Sequence, residues 1–223
     1  MYKYCLKCAD NSLLTIKNVK NISGIPVSRL KWYSVAEYLA AETLIKMINI
    51  EKQEVKEQEY LLFLALYHVV EACNKGFTAN WHPLVIDAAK VGWNICNRLK
   101  YSAVNRCTLM KPVYTIFFYL RQCKGVLSQH DLVLLFGYLI FEAAMENHKP
   151  VLGENVADQI LELIPINLQE RVWEWKLYFL SKQGKNEQIA ISSIKTANSK
   201  LKAQLWVRIA RTSANPKKQY YAF

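Results

Sequence analysis

From residue 26 onward, apolar positions recur every three or four residues, the spacing that gathers them on one face of a helix. Trp32, Val35, Tyr38 and Leu39 share such a face and predict a helix from about 28 to 48, with Ser28 as its N-cap. A second helix is predicted over 54–74: Glu54, Glu57 and Glu59 suit its positive end, and Lys75-Gly76 supplies a stop. Pro83 has the place of a first-turn proline for a helix through Leu99, and Pro112 reads the same way for one over 113–124. Ser128 or Asp131 opens a long, almost wholly apolar helix to about Asn147. A turn at 148–153 precedes a helix over 154–164, which Pro165 breaks; Asn167 caps the next, which Gly184 stops. Shorter helices are predicted at 187–197 and 200–212, and Asn215-Pro216 starts another. Residues 1–25 show no sustained period and predict a poorly ordered segment ahead of a helical region over 26–223.

No stretch alternates apolar and polar residues as a half-buried strand would, so the fold class is all-α. Helix following helix without a long crossover favours a stack of helical hairpins, an alpha solenoid, over a closed bundle. An irregular helical bundle with aromatics in its core is the alternative within the same class.

Solenoids repeat, and the tetratricopeptide repeat places a large residue, a Leu-like one three later, a small one beside it, and an Ala about sixteen positions on. The small residues let paired helices approach, and the large ring fills the wedge between them. Trp206, Ile209, Ala210 and Ala222 fit those positions, with Asn215-Pro216 as the intervening turn. Trp173 lies thirty-three residues upstream of Trp206, although Lys176 stands where its Leu-like partner belongs. Trp32 with Val35 and Ala36 is a third partial match. The candidate packing residues are thus Trp173, Trp206, Ile209, Ala210 and Ala222. On this reading Phe223 falls inside the second helix of a repeat, so the sequence reads as a fragment of something larger, truncated at its C-terminal end.

The stretch from Glu170 to Lys185, ERVWEWKLYFLSKQGK, followed by KAQLWVRIAR from Lys202 to Arg211, resembles the tetratricopeptide-rich cilia- and flagella-associated proteins. The likeness covers roughly residues 80–223 and rests on texture more than on one diagnostic motif. It implies non-enzymatic scaffolding in the cytoskeleton of the ciliary axoneme, with other proteins of a large assembly as partners. It supplies no catalytic residues. Trp173, Trp175, Tyr178 and Phe179 on one helix also resemble half-a-tetratricopeptide repeats, found in RNA-processing scaffolds.

Composition narrows the chemistry. The 223 residues are 52% hydrophobic with only seven Gly and six Pro, which excludes a disordered or collagen-like chain. Glycine scarcity also argues against an α/β nucleotide-binding enzyme. The net charge of +11 divides unevenly: residues 1–31 carry +5 and residues 190–223 carry +7, while 32–189 carry −1. A balanced body with basic ends points to solvated ends or an acidic neighbour more than to a nucleic-acid face, which would gather its cations on one folded surface. The apolar runs 60–70 and 132–141 are each about half the ~20 residues that a bilayer span requires.

Candidate chemistry is sparse. Cys5-Leu-Lys-Cys8 has zinc or redox spacing but no second pair of ligands within reach in sequence, and four other cysteines sit in apolar helical segments, as reduced thiols do. His68 lies on an apolar helix as a core residue with its polar atoms satisfied; His82, His130 and His148 are isolated. The acidic run from Glu51 to Glu59 is interleaved with Lys52 and Lys56, which marks a solvated helix face. Glu142 and Glu146 share a face but lack the histidines of a di-iron site. No phosphate-binding loop, nucleophile elbow or zinc-protease motif is present. The expectation is a non-enzyme with no cofactor and no metal.

Overall fold

The computed structural model describes residues 2–17, 25–192, 194 and 199–212, excepting the side chains of 15–17, 127, 188 and 208–212. Ten α-helices account for most of them: α1 (Tyr2–Lys17), α2 (Val27–Met47), α3 (Val55–Thr78), α4 (His82–Leu99), α5 (Ala103–Leu120), α6 (His130–Glu146), α7 (Pro150–Leu163), α8 (Glu170–Lys182), α9 (Glu187–Ser192) and α10 (Ser199–Thr212). Among the described residues there is no strand, and the all-α stack of helical hairpins expected from the periodicity is present. No described helix is long and apolar enough to cross a membrane. The chain divides into two compact units, Met1–Ala143 and Ala144–Phe223.

From α1 to α5 each helix packs on its neighbour in sequence, and α3 also meets α5 and α2 meets α4, as stacked hairpins require. Small residues set the spacing. Ala40 and Ala41 on α2, Ala65 and Ala72 on α3, and Ala88 and Ala89 on α4 are wholly buried among Leu44, Leu66, Val69, Ile95 and Phe117. Gly92 on α4 is a close approach: a Cβ there would lie 3.0 Å from Val69 and 3.1 Å from Ile116, so glycine lets α4 settle between α3 and α5.

Several local expectations are corrected. Helix α3 runs past Gly76, which is buried inside it, to Thr78, and the chain turns off at Asn80, whose φ of 55° is left-handed. Asn tolerates that conformation, and the Trp81 N–H then donates to the Gly76 carbonyl at 2.8 Å, closing the helix end. Pro112 does not open a helix; it lies within α5. An interior proline costs about 3 kcal/mol, but Leu109, Val113, Ile116 and Phe117 on flanking turns are wholly buried and hold the helix through it. Residues 2–17, read as part of a poorly ordered segment, form α1, which buries Ala9 and Leu13 one turn apart. Two anchors in sixteen residues are too few to register as a period.

Early in the second unit His148, with a φ of 51°, follows the end of α6, and Lys149 N–H donates to the Ala144 carbonyl at 2.8 Å. Helix α7 therefore starts at Pro150 rather than at 154, with the proline in its first turn. Asn167 does not cap α8 but sits in a 3-10 turn, Ile166–Leu168. Gln169 precedes α8 instead, and its side-chain amide donates to the Leu161 and Ile164 carbonyls that α7 leaves open. Of the helix expected over 187–197, α9 covers Glu187–Ser192.

Candidate protein-docking groove

Helix α2 has apolar residues on two opposite faces. One face, with Leu30, Ser34, Glu37, Ala41 and Leu44, is buried. The other carries Trp32, Val35, Ala36 and Leu39 and, with Tyr4, Cys5 and Cys8 of α1, lines a groove of about 960 Å³. A helix that is apolar on both sides is built to be covered on both sides. Yet Trp32 is 74% exposed, Tyr4 76% and Leu39 49%. The Trp32 ring, which the repeat pattern placed in a helix–helix wedge, lies in the open groove instead.

Charge frames the groove. Arg29 and Lys46 line it from opposite ends of α2, and neither has a carboxylate within ion-pairing distance among the described residues. Glu42, the one acid on the lining, accepts a hydrogen bond from the Tyr38 hydroxyl at 2.9 Å. Burial, and then that carboxylate, push the Tyr38 phenol up to about 12.

The buried face of α2 holds a polar network that pairs it with α3. Glu37 (5% exposed) accepts from His68 Nδ1 (8%) at 2.5 Å through one carboxylate oxygen and from Lys75 Nζ (3%) at 2.7 Å through the other. Lys75 also donates to Glu71 at 2.7 Å, and Ser34 donates to the Ala72 carbonyl at 2.7 Å. Burial by itself would raise the Glu37 carboxyl, but the His68 bond and the Lys75 charge outweigh it and hold it below its ordinary value. Burial would likewise lower Lys75, and the charge and bonds of Glu37 and Glu71 overcome it and raise the ammonium. His68 is thus the satisfied core residue expected from its apolar surroundings. Both Glu37 oxygens are spent inside the network, which leaves it a structural clamp rather than a base offered to a substrate.

The repeat-packing candidates fall in the second unit. Trp173 joins Leu177, Leu180, Ile191, Ile194, Leu201 and Leu205 in one buried cluster, and Trp206 packs against it half-buried. Lys176, the mismatch in the repeat pattern, lies 4.7 Å from the centre of the Trp173 ring and pairs with Asp158 of α7, so a cation on an aromatic face occupies the place of the apolar residue. Ile209 and Ala210 lie on α10, but their side chains are outside the described residues, as is all of Ala222. Trp206→Ala should cost ~1–3 kcal/mol in urea unfolding, less than the ~3–5 of a fully buried ring. Unchanged stability would remove Trp206 from the packing residues.

The remaining candidates do not converge. Among the described residues no three His, Cys, Asp or Glu side chains gather as a metal site requires. Cys5 and Cys8 are exposed on α1, while Cys73, Cys96 and Cys123 are buried. Burial raises all three buried thiols, Cys96 to about 12 and Cys123 to about 11. Because the thiolate is the reactive form, a maleimide reagent on the native chain should label Cys5 and Cys8 first and spare those three until the fold opens. Slow labelling of Cys5 and Cys8 would mean that the groove is closed in solution.

No protein-family model matches the chain, and neither does any curated protein. Fold and groove together define a class: an all-α stack of helical hairpins that carries an open aromatic groove on its first two helices.

Proposed function

We propose that this chain is a non-enzymatic protein–protein scaffold that holds a partner in the α1–α2 groove. The observation that carries the reading is the exposed row of Tyr4, Trp32 and Leu39 on helices whose other faces are already packed. Aromatic anchors of this kind supply most of the energy of protein interfaces. The finer reading is an axonemal scaffold built of tetratricopeptide-like repeats. Its support is the resemblance of residues 170–185 and 202–211 to the cilia- and flagella-associated proteins, among them cilia- and flagella-associated protein 46 of the central apparatus. The partners on that reading are other proteins of a large assembly.

A test expresses the tagged full chain in cells that build motile cilia and extracts the cilia with detergent. Retention of the chain on the axoneme, reduced by Trp32→Ala, is the expected result. Recovery with ribonucleoprotein particles instead would favour an RNA-processing scaffold. A soluble chain indifferent to Trp32→Ala would remove both the axonemal reading and the groove.

A further inference from the structure

We propose that the groove between α1 and α2 receives one amphipathic helix of about five turns that carries acidic residues at both of its ends. The inference rests on the groove being a docking surface and names the chemistry of its occupant.

Length and charge carry it. Arg29 and Lys46 are seventeen positions apart on α2, which at 1.5 Å per residue is about 25 Å, the length of a helix of ~17 residues. Between them Trp32, Val35, Ala36 and Leu39 succeed one another at helical spacing, faced by Tyr4 and Cys8 of α1; Thr43 and Glu42, whose carboxylate accepts from Tyr38, are polar residues of α2 on this stretch of the lining. Tyr2 and Lys3, at the start of α1, line a neighbouring recess together with Lys46 and Met47, at the end of α2. The two helices therefore run antiparallel, and Lys3 adds a second cation near the Lys46 end, in a recess that Glu51 and Glu57 also line. A helix laid along such a trough meets it with residues at i, i+3, i+4 and i+7, and its ends reach the cations. An acid in its first turn also suits its own dipole, and the acid at its far end is held by the cation it meets there.

The same charges argue against a second copy of the chain. Two α2 helices related by a two-fold axis would set Arg29 of one against Lys46 of the other at both ends of the contact. Two like charges at each end oppose that dimer, whereas acids at each end favour the proposed helix.

The test uses the full chain and three fluorescein-labelled synthetic peptides of eighteen residues. The first has leucines at i, i+3, i+4 and i+7 and two glutamates at each end. The second replaces those glutamates with lysines, and the third keeps them but has a central proline. Fluorescence anisotropy at physiological salt should show saturable binding of the first, with the second and third at least about tenfold weaker. Trp32→Ala should weaken the first by about tenfold with its circular dichroism unchanged, since the ring is exposed in the free chain. Arg29→Glu with Lys46→Glu should invert the preference toward the lysine-ended peptide. Equal binding of acidic and basic peptides, no binding of any, or indifference to Trp32→Ala overturns the proposal. So does a dimer, seen by sedimentation of the chain alone, that Trp32→Ala dissociates, since the occupant is then a second copy. If the peptides fail while axonemal retention still depends on Trp32, the docking surface stands and only the acidic helix is lost.

Discussion

Glu37→Gln should destabilise the first unit by about 3–5 kcal/mol at neutral pH, an effect far larger than one hydrogen bond would suggest. The reason is what remains. Lys75 stays buried with its charge, keeps only the more exposed Glu71, and loses the carboxylate that offset its desolvation. Replacing the trio together, as Glu37→Leu, His68→Leu and Lys75→Met, should cost less than Glu37→Gln by itself, because no charge is then left stranded. Urea unfolding of the two variants checks this, and a triple variant weaker than the single one would refute it. The pH dependence follows from the two directions. Glu37 lies below its ordinary value near 4.5, so its contribution is present above that value and is lost as the pH falls through the lowered one. Lys75 lies above its ordinary value near 10.5, so its contribution is present below that value and is lost as the pH rises through the raised one. The gap between the parent and Glu37→Gln should therefore be widest between these limits and close in acid.

In the second unit the largest loss should come from Phe179→Ala, about 3–5 kcal/mol for a wholly buried ring. Phe179 lies on Gly153 of α7 so closely that a Cβ on the glycine would overlap the ring. Gly153→Ala should consequently cost about 1–3 kcal/mol despite alanine's higher helix propensity. The two should not add. With the ring gone the new methyl has room, and the double variant should be more stable than the sum of the single losses by a measurable margin. Strict additivity in a double-mutant cycle would show that the two residues do not share one contact.

The helices were legible because burial imposes its period directly on the sequence, and Pro83 and Pro165 punctuated it as their chemistry dictates. Pro112 misled because a local cost of about 3 kcal/mol was outweighed by packing that only the folded neighbours supply. Gly76 misled for a related reason: the same residue type can stop a helix or admit a neighbour, and here the Ser34 hydroxyl lies 2.9 Å from where its Cβ would be. The groove was hidden for a different reason. Periodicity tells which way Trp32 and Leu39 point, not whether anything covers them, so an open face and a core face look alike. Of the polar network only His68 was read correctly; its partner Glu37 lies thirty-one residues away on another helix, and no local pattern joins them.

The Glu37 network also decides which alignment of α2 and α3 survives. Helices surfaced with Ala and Leu lose little if one slides along the other by a turn, because each leucine finds another hollow. Glu37 has no such second place. His68 and Lys75 lie two turns apart on α3, so a slide of one turn, about 5.4 Å, carries its carboxylate toward one of them and away from the other, and the bridge between them is lost. The neighbouring alignments are thereby disfavoured, and α4 and α5, which pack on α3, inherit a single starting position.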